Sequence, residues 1–202
     1  GSGKTKTLVH KIASLITLEN HKPEHFLMLT HGRVAAQEFK NRLTRLVGPM
    51  AYDVDILTFH AFALELIGKR VLTDNDLEDA ITHATQGLMN GSIELPFKTM
   101  LILDEYQDVS LKTYGFIKAI FEKMETNKRI IAVGDDDQCI NNFEKDDRAD
   151  VAYMEAFRDD FSNNESSSEE NTPEQGYIHY SLTSNYRSDR DIVALCNAYA
   201  NT

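Results

Sequence analysis

Apolar positions along the chain follow two alternating patterns. Short apolar runs at Phe26-Leu27-Met28-Leu29, Val54 to Leu57, Thr99 to Leu103 and Ile130-Ile131-Ala132-Val133 have the length and composition of buried strands. Between them, apolar residues recur every three or four positions, as on one face of a helix. Leu8, Ile12, Leu15 and Ile16 predict a helix from Lys4 to about Leu18, and Val34 to Val47 predicts a second. Thr58-Phe59-His60 leads into a third through Phe62, Leu64 and Ile67, and Leu77, Ile81, Ala84 and Leu88 predict a fourth over Asp74 to Met89. Leu111 to Met124 and Val151 to Phe161 predict two more helices. A strand is expected near Tyr177 to Leu182 and a closing helix over Ser188 to Ala200.

Strands of four or five apolar residues alternating with helices predict an α/β fold, a parallel sheet covered by helices on both faces. A ligand is then expected at the carboxyl ends of the strands. The 202 residues can bury one good core, and no internal repeat is visible.

Composition narrows the picture. Hydrophobic residues at 42% and charged residues at 26% describe an ordinary globular protein. No apolar run reaches the roughly 20 residues of a membrane span, and no signal-peptide layout is present. Cys139 and Cys196 suggest neither a disulfide framework nor a metal cage, which favours a reducing compartment, cytoplasmic or nuclear, with cytoplasmic expected. The net charge of −11 is unlike that of a generally basic nucleic-acid binder. Part of that acid sits in residues 162–176, SNNESSSEENTPEQG, a stretch without large apolar residues that reads as a flexible acidic loop.

Three polar clusters carry the chemistry. Gly1-Ser2-Gly3-Lys4-Thr5 is the second half of a phosphate-binding loop and stands directly before a helix. Such a turn aims backbone N–H groups and a helix dipole at an anion. Lys4 adds a charge for the outer phosphates, and the Thr5 hydroxyl is a candidate magnesium ligand. Because the chain opens inside that motif, the strand that delivers the loop is expected upstream. The second cluster is Asp104-Glu105, at the end of Leu101-Ile102-Leu103, where buried carboxylates need a compensating cation. Asp104 suits Mg2+, through water; Glu105 suits a base that orients and deprotonates an attacking water. The third, Gly134-Asp135-Asp136-Asp137-Gln138, repeats the layout one strand over, which would bring Gln138 near the terminal phosphate.

Taken in order, these blocks resemble the UvrD/Rep/PcrA-like superfamily 1 DNA helicases. GSGKT is followed by the Thr30 to Leu43 segment, Thr58-Phe59-His60, DEYQD, GDDDQ and Asn185-Tyr186-Arg187-Ser188, which together span nearly the whole chain. The resemblance implies the first RecA-like motor domain of an ATP-dependent 3′–5′ helicase or translocase that grips single-stranded DNA, with ATP and Mg2+ as cofactors. It implies that Gln138 senses the terminal phosphate and that Arg187 reaches it as a charge-stabilising finger. Tyr186 would stack on adenine, and Lys6 stands where the family often has an arginine on the other face. Thr30, His31, Thr58, His60 and Phe143 would contact DNA.

The chain departs from the family pattern in three ways. His31 stands where phenylalanine is common and Asn141 where tyrosine is common, so base stacking is expected to be weaker, with phosphate contacts from the Thr30 and Thr58 segments contributing more. Fewer than forty residues separate Phe62 from Leu101, where the family commonly inserts an accessory domain. Residues 68–98 therefore read as a short insertion in its place. The second motor domain is essentially missing, so the isolated chain is expected to hydrolyse ATP feebly or not at all. Two other functions fit the same motifs: the motor of a recombination-type helicase–nuclease, and a nucleotide-binding interaction module without unwinding activity.

Overall fold

Four parallel strands lie in the order β2-β1-β3-β4: β1 (Phe26–Thr30), β2 (Asp55–Thr58), β3 (Met100–Leu103) and β4 (Arg129–Ala132). The computed structural model describes residues 3–68, 74–125, 127–135, 149–161 and 178–182. β1 is the hinge of the register: Met28 pairs with Ile56 on one side and with Ile102 on the other, and Ile102 in turn pairs with Ile131.

The continuous apolar runs of β1 and β3 are explained by their position. Each is flanked by a strand on either side and covered on both faces, so no residue in them meets water. Side chains alternate across the pleat. Phe26, Met28, Met100 and Ile102 enter a core completed by α1 (Lys4–Thr17) and α2 (Arg33–Val47). Leu27, Leu29, Leu101 and Leu103 enter the opposite core with α3 (Phe59–Ile67), α4 (Asp74–Asn90) and α5 (Leu111–Lys123). Each such side chain contributes about 1.5–3 kcal/mol by leaving water. α6 (Ala152–Phe161) closes this second core through Phe157 and Phe161. The helices on both faces are those expected from the 3.6-residue period, with ends shifted by a residue or two.

Local chemistry sets the element boundaries. Thr58 ends β2 and caps α3, its hydroxyl accepting from Ala61 N at 3.2 Å. Ser110 does the same for α5, accepting from Thr113 N at 3.3 Å. Between α3 and β3, α4 packs on α3 and α5. Its turn back is tight: a Cβ on Gly87 would lie 2.3 Å from Ile93 Cδ1. Lys98, almost fully buried, pairs with Asp55 and donates to the Glu24 carbonyl, which fastens the approach to β3 against β2.

One expected element is absent where it can be read. Residues 178–182 form no strand; Ile178, Tyr180 and Leu182 alternate as a strand would, but all three are exposed and none pairs with a described strand. Alternation alone does not make a strand when no sheet edge receives it. The acidic 162–176 segment and the helix expected over Ser188 to Ala200 lie outside the described residues.

Candidate functional site

The start of α1 and the carboxyl ends of β3 and β4 converge. Gly3 has φ +84°, a left-handed conformation that glycine adopts without a Cβ penalty. Its carbonyl accepts from Thr7 N at 2.9 Å and opens the helix. The first turn of α1 therefore carries Lys4, Thr5 and Lys6 at its amide-donating, positive end. Lys4 and Thr5 are half-buried and Lys6 is exposed.

The end of β3 is shaped by its two neighbours. Asp104 N donates to Leu29 O at 3.1 Å, Val133 N donates to Leu103 O at 2.9 Å, and Tyr106 N donates to Val133 O at 2.9 Å. Glu105 lies within that last ladder step and takes φ +54°, ψ +48°. A left-handed non-glycine residue is strained, and here hydrogen bonds on both sides hold it.

Asp104 is 3% exposed, and its Oδ1 accepts from Glu105 N at 3.1 Å. Burial first, and the Glu105 charge second, push its pKa up to about 6, while the hydrogen bond and the charges of Lys4 and Arg42 pull it back. A buried carboxylate beside a second carboxylate is a donor set that suits a divalent cation. The residues present therefore fit magnesium, which Asp104 and Thr5 would hold with the ion keeping much of its water. Among the described residues no group of three or more His, Cys, Asp or Glu is arranged for a metal.

A chain of side chains links the three elements. Lys4 Nζ lies 2.9 Å from Asp135 Oδ2, just past β4. The Asp135 N–H donates to Gln107 Oε1 at 3.0 Å, and Gln107 Nε2 donates to Glu105 Oε2 at 2.8 Å. Gln107 is 3% exposed. Neither Gln107 nor Asp135 was singled out by motif reasoning, although both lie inside the DEYQD and GDDDQ blocks. The available signal was a polar residue between Tyr106 and Val109, both of which are buried.

A second cluster stands at the ends of β1 and β2, where Thr30 pairs with Thr58. The His31 ring packs on Phe59 with centroids 4.9 Å apart. His31 as a residue is exposed, yet the inner side of its ring is desolvated; that desolvation, then the nearby His60, lowers its pKa to about 4. The lowered pKa favours the neutral ring at pH 7. Thr30 is fully buried, with a hydroxyl that finds no hydrogen bond among the described residues, and the Thr58 hydroxyl is engaged in its cap. Of these four residues, His31 and, in part, His60 are accessible.

Of the residues singled out in the sequence, Gly3, Lys4, Thr5, Lys6, Asp104 and Glu105 gather around the first cluster. Thr30, His31, Thr58 and His60 form the second. Gly1, Ser2, Gln138, Phe143, Tyr186 and Arg187 lie outside the described residues.

A parallel α/β sheet with a glycine turn and lysine opening its first helix, opposite two carboxylates on a neighbouring strand, defines a P-loop nucleotide-binding domain of RecA-like type. The family model for the UvrD/REP helicase N-terminal domain matches residues 1–95 and 75–162, and the chain belongs to that family. It is 37% identical over 71 residues to the ATP-dependent DNA helicase PcrA of Bacillus subtilis, a stretch covering 35% of this chain and 10% of that protein. It is 39% identical over 67 residues to DNA helicase II of Salmonella typhimurium, covering 33% of this chain and 9% of the relative. The aligned stretch is thus about a tenth of the relatives' length. No helix among the described residues is long and apolar enough to cross a membrane.

Proposed function

We propose that this chain is the nucleotide-hydrolysing first motor domain of an ATP-dependent DNA helicase or translocase that acts on single-stranded DNA with 3′–5′ polarity. The observation that carries the reading is the convergence of Lys4, Asp104 and Glu105 from three elements, joined through Asp135 and Gln107. Helicase relatives named as ATP-dependent support it; the polarity rests on family resemblance.

In this mechanism Lys4 and the first-turn amides of α1 bind the phosphates. Thr5 and Asp104 hold Mg2+, which when bound neutralises charge on the phosphates. Glu105 orients a water and accepts its proton as that water's oxygen attacks the terminal phosphorus and the bond to the ADP oxygen breaks. Gln138 and Arg187 contribute the phosphate sensor and finger, and Tyr186 and Lys6 hold the base. The His31, His60, Thr30 and Thr58 end, with Phe143, meets the DNA. A second motor domain completes the cleft, and residues 68–98 replace a larger accessory domain.

The test is ATP hydrolysis by the full-length protein with and without single-stranded DNA, beside Glu105→Gln. The reading expects DNA-stimulated hydrolysis that Glu105→Gln lowers by about 10²- to 10⁴-fold while Mg-ATP binding persists. Binding without hydrolysis in the unaltered protein would overturn it.

A further inference from the structure

Building on that function, we infer that Gln107 is a positioning residue: it fixes the Glu105 carboxylate and ties it to the turn after β4 that Lys4 grips through Asp135.

The geometry demands an amide at this position. One end of the Gln107 side chain donates to a carboxylate oxygen of Glu105 at 2.8 Å, and the other accepts a backbone N–H from Asp135 at 3.0 Å. Glutamate would repel Glu105 and lysine cannot accept from Asp135 N–H, so neither charged residue serves both partners. Burial removes competing water. Space has been cleared for the amide: a Cβ on Gly134 would stand 3.0 Å from Gln107 Oε1 and 3.1 Å from Gln107 N. Any larger residue there would push the bridge apart.

The bridge matters because a glutamate carboxylate otherwise rotates freely about its last torsion. Its backbone is already fixed by the left-handed turn at Glu105. Gln107 fixes the remaining freedom by engaging one oxygen and leaves the other to a water. Since the Asp135 carboxylate pairs with Lys4, movement of the lysine toward a phosphate passes through Asp135 and Gln107 to the base. The phosphate-binding lysine and the base are thereby made mechanically dependent.

The test compares Gln107→Met, which loses the hydrogen bonds to Glu105 and to Asp135 at nearly equal volume, with Gln107→Glu, which keeps the acceptor for Asp135 N–H and loses the donor to Glu105. Gln107→Asn, too short to reach both partners, serves if the methionine variant does not fold. All are measured in the full-length protein. Both principal variants are expected to lower kcat about 10- to 100-fold, a fraction of a general base's usual contribution, with KM for ATP nearly unchanged. Without nucleotide, hydrogen exchange over residues 130–135 should quicken several-fold in Gln107→Met and stay as in the unaltered protein in Gln107→Glu. In a Glu105→Gln background, Gln107→Met should cost no further single-turnover rate.

Unaltered kcat in both variants, or a loss of equal size in the Glu105→Gln background, would overturn the inference while leaving the functional reading intact. Hydrolysis indifferent to Glu105→Gln would instead sink the functional reading, and the exchange experiment would still report whether the bridge exists.

Discussion

Lys4 Nζ and Asp135 Oδ2 meet at 2.9 Å across 131 residues of sequence, so the cation of the phosphate loop is held by the neighbouring strand end. Any anion that takes the lysine must first displace this carboxylate.

Asp135→Asn should therefore tighten magnesium-free ADP and ATP, by about two- to fivefold in calorimetric titrations. Its cost in stability should be small, roughly 0.2–1 kcal/mol, because both side chains retain solvent access. Weaker nucleotide binding in the variant would show that the pair assists the anion and does not compete with it.

Asp104 makes stability pH-dependent in a direction opposite to most acids. Its folded pKa of about 6 lies above the ordinary 3.8, so the native state holds the proton more firmly. Stability contributed by the protonated form is full below pH 4 and declines as pH rises through 6, by about 3 kcal/mol in the absence of metal. Asp104→Asn should remove that decline, seen as the difference between the two proteins' unfolding curves at pH 4.5 and 7.5. Adding Mg2+ at pH 7.5 should raise the melting temperature of the unaltered protein and leave the variant's nearly unchanged. A variant that is no more stable at pH 7.5 than its parent would contradict this account.

His31 titrates with the opposite sign. Its folded pKa lies below the ordinary 6.5, so the stability of the neutral ring is present above pH 6.5 and is lost as pH falls toward 4. His31→Phe should flatten that acid limb. It should also strengthen single-strand binding by about 1 kcal/mol through better base stacking, as read by fluorescence anisotropy. Unchanged affinity would remove this position from the DNA interface.

Gly134→Ala tests the space around the bridge. Its added methyl must push on the Gln107 amide, on Gln107 N and on Met154 Cε. A loss of about 1–3 kcal/mol is expected from such overpacking, together with a fall in turnover. A neutral alanine would mean that Met154 alone yields and the bridge stays closed.

Much of the architecture was legible because it rests on local patterns. Phe26 to Leu29 and Met100 to Leu103 are apolar without interruption since both faces of those strands are covered. The spacing of Ile81, Ala84 and Leu88 likewise announced α4, and all three are buried. The phosphate loop was legible because its glycine, lysine and threonine stand directly before a helix, and the paired carboxylates because charges at the end of a buried apolar strand are costly without a compensating cation. What escaped depends on register between distant segments. The left-handed turn at Glu105 arises from how Leu103 and Tyr106 bracket Val133, and no property of Glu105 announces it. Gln107 acquires its partners only when Gly134 leaves room. Residues 178–182 misled for the converse reason, since their apolar residues alternate but no described strand receives them.

The amide of Asp104 and the carbonyl of Leu29 share one hydrogen bond, 3.1 Å long. Leu29 stands immediately before Thr30 and His31, and Asp104 immediately before Glu105. The two candidate clusters are thus separated by one peptide-to-peptide contact between the two inner strands of the sheet. A displacement of one strand end would then reach the other through this single hydrogen bond, without a long lever.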